Sequence, residues 1–175
     1  MATVHDLDTF IQQLGGTGIT SRMKYANECN RLSVRLRRKL IFSSRCEGWE
    51  KGPVYPDLYH RQDDQGDPSA LTPADRAIAV FVFNKLRHCS GKQLSKRSHD
   101  FPEWLKSREG LADNERGNRE ITFADITEAL SQELHIEEGD IACFPDSPEY
   151  ISAHLPSRLK ELAFFQQVLK PLLAA

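Results

Sequence analysis

The chain has 175 residues, of which 39% are hydrophobic and 27% are charged, and its formal net charge is -2. This composition is typical of one globular domain with its own core, and it excludes a wholly disordered chain. The charge balance gives no general attraction to nucleic acid, although it is compatible with a local basic patch. Residues 1–16 lack a basic-then-apolar leader and no run of 18 apolar residues occurs, which predicts a cytoplasmic protein that is neither exported nor membrane-spanning.

The first half of the chain predicts two helices and a short β element. Thr3 and Asp6 have the spacing of a capping box, and an amphipathic helix follows them. A second amphipathic helix, rich in arginine, is predicted from about residue 21 to residue 36. The short apolar segments 40–42 and 46–50 predict a small antiparallel β-hairpin or a pair of extended segments.

Further helices are predicted beyond the β element. Prolines and glycines mark residues 53–68 as irregular. Thr72 and Asp75 repeat the capping-box spacing and open a helix that runs to about Cys89. A shorter helix is predicted over about residues 92–99.

The last part of the chain alternates loops and helices. The polar stretch 105–120 predicts a mobile loop, and Thr122 with Asp125 opens a helix that runs to Leu134. Leucines at helical spacing predict a final helix over residues 155–172. The fold class predicted is therefore mainly α, a single compact helical domain with a small antiparallel β-hairpin.

Four cysteines are spread along the chain without a CxxC pair: Cys29, Cys46, Cys89 and Cys143. Structural zinc sites need ligands paired at short spacing, and disulfide-rich secreted domains are shorter. The pattern predicts free thiols in a reducing compartment, with no metal and no cofactor. An alternative metal site from His88, Cys89 and His99 has a spacing that matches no standard site.

Residues 49–59, with the sequence WEKGPVYPDLY, resemble the signature of the Panacea-domain (SocA-like) family. That signature has a Trp, two variable residues, Gly-Pro-Val, and then Pro and Tyr. The matching positions are Trp49, Gly52, Pro53, Val54, Pro56 and Tyr59. The family's later Leu-Ser, His and Pro-Trp positions match Leu94, Ser95, His99, Pro102 and Trp104.

The resemblance is collinear over about residues 21–130, which we interpret as a Panacea-like core, with a C-terminal helical extension over about 136–175. The chain departs from the family pattern in a more polar first helix. It also departs at Glu103, which separates Pro102 from Trp104, and at Ser98, which stands where the family has Thr.

The resemblance implies a mainly helical fold and a bacterial or phage-associated antitoxin, because family members occur beside varied small toxins. The leading hypothesis is an interaction protein, not an enzyme, that neutralises a cognate toxin by direct protein–protein binding. Some family members deliver a toxin to a cytoplasmic protease, so a proteolytic adaptor working with a ClpXP-type protease is one alternative. A hydrolase-like enzyme using His99 and a DNA-binding regulator are the others.

Two interpretations of the signature stay open. Gly permits an unusual backbone angle and Pro fixes the next one, so Gly52-Pro53-Val54 predicts a structural corner. Aromatic and arginine side chains, by contrast, dominate protein-binding hot spots. The candidate partner-binding residues are Trp49, Tyr55, Tyr59, Arg35, Arg38 and Trp104.

Three further features have a purely structural interpretation beside a functional one. His99 next to Asp100 has the residue types of a general base with its orienting carboxylate, but a hydrogen-bonded histidine at a helix end is the simpler interpretation. The basic run Arg31, Arg35, Arg37, Arg38 and Lys39 fits a contact with nucleic acid or with an acidic toxin surface, although a solvated helix face is the commoner explanation. The ending Leu173-Ala174-Ala175 is similar to the ssrA tag read by the ClpX unfoldase, or it simply completes a helix.

Overall fold

The computed structural model describes residues 1–36 and 38–134, with side chains up to Leu130. This part of the chain is mainly helical. Its helices are α1 (Val4–Gln13), α2 (Ile19–Arg35), α3 (Pro56–His60), α4 (Pro73–Leu86), α5 (Gly91–His99), α6 (Pro102–Ser107) and α7 (Phe123–Leu134), with a 3-10 turn at Pro68–Ala70. The mainly α fold with a minor β element is thereby confirmed.

Three short strands form one antiparallel sheet in the order β2-β1-β3. They are β1 (Cys46–Trp49), β2 (Gly52–Val54) and β3 (Arg119–Ile121). In the hairpin, Trp49 pairs with Gly52 across a two-residue turn, and on the other edge Cys46 pairs with Ile121. The hairpin therefore begins later than the 40–42 segment predicted to contribute to it, since Phe42 makes only an isolated bridge with Ala2.

The stretch 105–120, predicted as a loop, contains two ordered pieces. Its start belongs to α6 and its end to β3. Arg108 holds the segment between them, because its guanidinium donates hydrogen bonds to the backbone carbonyls of Glu115 and Ala112. The polar composition of this stretch is typical of a loop. It does not indicate β3, because this strand forms by pairing with β1, which is distant in sequence.

Helix starts follow the capping signals closely. Capping boxes join Thr3 to Asp6 and Thr72 to Asp75, as predicted. The same reciprocal pattern links Thr122 and Asp125 at the start of α7. Side-chain caps of this kind satisfy the amides that an α-helix leaves without partners at its N-terminus.

Helix α2 lies at the centre of the fold, packed against α1, α4, α5, α7 and β2. Most of its residues are buried, so its polar side chains must find partners inside the protein. Asn30 shows how this is done: its amide donates to the carbonyl of Phe42, and its carbonyl oxygen accepts from the backbone amide of Ile41. The polar character of this helix, noted in the sequence, therefore anchors neighbouring segments.

The arginine run at the end of α2 is not a solvated face, and that interpretation was wrong for two of its members. Arg31 is 3% exposed and forms a buried ion pair with Glu103 of α6, with its guanidinium 3.9 Å from the ring centre of Phe101. Arg38 is 4% exposed and donates to Asp75 of α4 at 3.0 Å. Arg31 ties α2 to α6, and Arg38 ties the segment after α2 to α4, through contacts that periodicity does not reveal.

Several predicted features lie outside the described residues. They are Arg37, Cys143, the helical extension over 136–175 and the ending Leu173-Ala174-Ala175. Within the part that the structure does describe, none of the helices has the length and apolarity needed to cross a membrane.

Candidate functional site

The hairpin turn requires glycine at position 52 for two reasons. Gly52 has a φ of 95°, in the left-handed region that residues other than glycine rarely adopt. A Cβ atom there would also collide with the hydroxyl of Ser98 and lie 2.6 Å from Nζ of Lys24. The predicted structural corner is thus a point where β2 meets α2 and α5 without room for a side chain.

Lys24 lies beneath this turn and is 3% exposed. Its ammonium donates a hydrogen bond of 3.1 Å to the carbonyl of Pro53. Burial lowers the pKa of Lys24 from 10.5 to about 8, an effect that the nearby Cys46 thiol partly opposes. Sequence reasoning missed this residue, because a lysine in an arginine-rich amphipathic helix is expected on the solvent-exposed face, whereas α2 is buried on nearly every side.

Four half-buried rings form a continuous group beside the hairpin, which we call the aromatic cluster: Trp49, Tyr59, His99 and Trp104. Tyr59 meets Trp49 edge to face, with ring centres 5.3 Å apart. The indole of Trp104 donates to the carbonyl of Trp49 at 3.2 Å, and the His99 ring stacks on Trp104 at 4.1 Å with an interplanar angle of 8°. The cluster therefore joins residues from β1, α3, α5 and α6.

Charged groups hold the Trp49 side of the cluster. The indole of Trp49 donates to Glu47 at 2.9 Å, and Glu47 also accepts from Arg45 at 2.6 Å. The guanidinium of Arg116 lies 5.4 Å from the Trp49 ring centre, within the range of a cation–π contact. Arg116 was not singled out in the sequence, because only the folding of the 108–119 segment over β1 brings it to Trp49.

His99 is a ring of the cluster and not half of a histidine–carboxylate dyad. Burial, followed by the positive charges of Lys24 and Arg108, lowers its pKa below 6.5, while Asp100 and a backbone hydrogen bond with Lys51 act in the opposite direction. The Nε2 atom is buried without a hydrogen-bond partner. The Asp100 carboxylate contributes an attraction but, in this described region, no hydrogen bond that would orient the imidazole as a general base requires.

The structure separates the six candidate partner-binding residues. Trp49, Tyr59 and Trp104 come together at the surface in the aromatic cluster, whereas Arg35 is half-buried elsewhere on α2. Tyr55 is 2% exposed; its hydroxyl donates to Asn27 and its ring packs on Phe42. Because Tyr55 and Arg38 are buried, we leave both out of the candidate surface.

The remaining signature residues place these rings. Val54 and Leu94 are buried in the core, and the carbonyl of Ser95 accepts the Ser98 hydroxyl. Pro56 and Pro102 occupy the first turns of α3 and α6, where a missing amide hydrogen costs nothing. These residues determine where the helices that carry Tyr59 and Trp104 begin.

A shallow depression of about 220 Å³ lies between α6 and α7. Its lining includes Lys106, Asp125 and Glu128, and the lysine pairs with both carboxylates, at 2.9 and 3.1 Å. His99 is not part of its lining. Among the residues that the structure describes, no three His, Cys, Asp or Glu side chains come together as metal ligands would.

Comparison with known proteins identifies no relative: no protein-family model, no curated protein and no solved structure matches this chain.

Proposed function

We propose that this chain is a cytoplasmic antitoxin of the Panacea type, which neutralises a cognate bacterial or phage toxin by binding it directly. The aromatic cluster is the proposed centre of the toxin-binding surface. The chain acts in this proposal as a binding protein, needing neither metal nor cofactor.

The observation that carries the proposal is the composition and rigidity of the cluster. Tryptophan, tyrosine and arginine are the residues that most often dominate binding energy at protein interfaces, and here Trp49, Tyr59, Trp104 and Arg116 meet on one half-exposed surface. Each ring is held by another ring or by a hydrogen bond. Little conformational entropy is therefore lost when a partner binds, which favours affinity.

The signature residues that position the rings of the cluster support the same proposal. Gly52, Pro53 and Val54 shape the hairpin, while Pro56 and Pro102 start the helices that bring Tyr59 and Trp104 to Trp49. Residues that resemble a family of binding proteins thus converge on one surface. A stable complex needs about 800 Å² per partner, so the cluster would form the centre of a wider interface.

The experiment begins with the small reading frame beside this gene, whose product is co-expressed with this chain and tested for growth arrest and co-purification. Tyr59→Ala is the key variant, and Trp49→Ala is the second. We expect both to weaken toxin binding by about 30-fold or more, the loss typical of a hot-spot residue, and to abolish rescue of growth.

Phe123→Ala is the matched control, because Phe123 is an aromatic residue 46% exposed on α7 and outside the cluster. It should neutralise the toxin like the original chain. Full neutralisation by a folded Tyr59→Ala protein would contradict the proposal. A toxin half-life that falls when this chain is present would instead identify a proteolytic adaptor.

A further inference from the structure

The charges of this chain are strongly segregated. Residues 76–99 contain no Asp or Glu, although the whole chain has a net charge of -2. The six lysines and arginines of this segment are Arg76, Lys85, Arg87, Lys92, Lys96 and Arg97. A local charge of this size attracts polyanions even when the protein as a whole does not.

The structure gathers most of these cations at one place, the turn between α4 and α5 and the outer face of α5. We call this the basic surface; it consists of the exposed residues Arg87, His88, Lys92, Lys96 and Arg97. Leu94 and Ser98 are 2% exposed and fix the opposite side of α5 against the core. The basic side chains therefore point outward from a helix whose rotation is set by packing.

Two exposed arginines elsewhere in the described fold are paired with carboxylates of this chain. Arg45 pairs with Glu47 at 2.6 Å, and Arg61 pairs with Asp64 at 2.6 Å. On the basic surface Arg97 pairs with Glu28, whereas no ion pair within the described residues engages Lys92 or Lys96. The basic surface thus keeps positive charge that its own fold does not compensate.

The shape of the basic surface distinguishes between nucleic acids. Helix α5 has nine residues, begins at a capping box of Ser90 and Gln93, and carries Lys92 and Lys96 one turn apart on its outer face. The major groove of B-DNA is wide enough for an α-helix, whereas the major groove of duplex RNA is too narrow. An exposed, basic helix of this kind fits duplex DNA.

We propose that the basic surface binds the phosphate backbone of double-stranded DNA, with α5 lying along the major groove. This function goes beyond toxin neutralisation and uses a different part of α5. Its cations lie in the first two turns and the preceding turn, whereas the aromatic cluster uses only His99 at the end of the helix.

The test measures binding of the purified full chain to a fluorescein-labelled, mixed-sequence DNA duplex by anisotropy over a series of salt concentrations. The variant carries Arg87→Ala, Lys92→Ala and Lys96→Ala. Each phosphate contact contributes about -0.9 to the slope of log affinity against log salt, so we expect this slope to fall by about 3 in magnitude. At about 0.1 M salt the same change corresponds to roughly 500-fold weaker binding.

The matched control carries Lys39→Ala, Arg61→Ala and Arg119→Ala, which removes the same charge from exposed positions outside α5 and the turn before it. It should bind DNA with an almost unchanged salt slope. All six side chains are exposed, so thermal unfolding should show both variants folded. The α5 variant should also still neutralise the toxin, which separates this proposal from the first.

Three results would overturn the proposal. The first is that the original chain does not bind duplex DNA. The second is that both triple variants lose the same affinity. The third is that an RNA duplex of the same sequence binds more tightly than the DNA. Loss of DNA binding in the α5 variant alone supports it.

Discussion

Two tyrosines four residues apart show that the signature has an inner and an outer side. Tyr55 is buried, with its hydroxyl bonded to Asn27 at 3.1 Å and its ring 5.1 Å from that of Phe42. Tyr59 is half-buried and touches Trp49 at the surface. One residue of the same short segment stabilises the core, and the other belongs to the proposed binding surface.

One sequence motif therefore serves two physical purposes. Inward residues of the segment lock the hairpin onto α2 and α5, and outward residues present rings that the hairpin has positioned. Substitutions on the two sides should therefore fail differently, the inner ones through loss of folding and the outer ones through loss of binding.

The largest expected effect comes from Tyr55→Ala. Removal of a buried aromatic ring leaves a cavity, and we expect the free energy of unfolding to fall by about 3–5 kcal/mol. Tyr59→Ala should lower it by about 1–2 kcal/mol, because the half-buried ring loses its edge-to-face contact with Trp49 but leaves no enclosed cavity. Urea denaturation of both variants measures the difference. Equal losses would contradict the division into inner and outer sides.

Gly52→Ala should follow in size. A positive φ is unfavourable for alanine, and the new Cβ would press against Ser98 and Lys24. We expect a loss of about 2–4 kcal/mol in the free energy of unfolding, from backbone strain and overpacking together. Gly110→Ala is the control for strain alone, because Gly110 has a φ of 80° but nothing within 4 Å of the added Cβ. The control should therefore lose less stability.

The sequence predicted α1, α2, α4, α5 and α7, because their signals are local, whereas the short helices α3 and α6 lie wholly or partly in stretches predicted to be irregular or loop. Thr3 with Asp6 and Thr72 with Asp75 mark helix starts within four residues of chain, and the structure has both boxes. The signature likewise indicated that Gly52 forms a corner. The third strand was missed, since β3 is defined by pairing with β1, about 70 residues earlier in the chain.

The candidate site was predictable only in part. Trp49, Tyr59 and Trp104 were identified by residue type, and the structure brings them together. Tyr55 has the same residue type as Tyr59, so composition alone did not indicate which of the two is buried. Lys24 and Arg116 were missed, because their positions follow from tertiary packing of α2 and of the segment before β3.

Lys24 provides a smaller, pH-dependent test of the inner side. Its pKa is about 8 in the folded chain, whereas the ordinary value for a lysine, which applies to the unfolded chain, is 10.5. Between these values the unfolded chain binds more protons than the folded chain, so the stability contributed by Lys24 rises with pH. From about pH 7 to about pH 9 we expect a gain of about 1–2 kcal/mol in the free energy of unfolding.

Lys24→Met is the control for this titration. It keeps a chain of similar length without an ionisable group, so the difference between the two proteins isolates Lys24. Burial raises the pKa of the Cys46 thiol from 9.0 to about 12, so above pH 9 this thiol lowers the free energy of unfolding as pH rises. The pH interval for the Lys24 test therefore ends near pH 9. A rise in stability that persists unchanged in Lys24→Met would assign the effect to other groups.

The smallest expected effect is that of His99→Gln on the outer side. Glutamine keeps a planar polar end that can lie against Trp104, so we expect toxin neutralisation to be retained and stability at neutral pH to change by about 1 kcal/mol or less.

The pKa of His99 is lowered in the folded chain, which means that the unfolded chain binds more protons at mildly acidic pH. The original chain should therefore lose stability as pH falls below about 6.5, and the variant should lose less. Thermal unfolding at neutral and mildly acidic pH measures this difference, and growth rescue at neutral pH measures neutralisation. A folded His99→Gln protein that cannot rescue growth, yet still binds the toxin as tightly as the original chain, would show that the imidazole does chemistry, and the hydrolase hypothesis would replace the antitoxin.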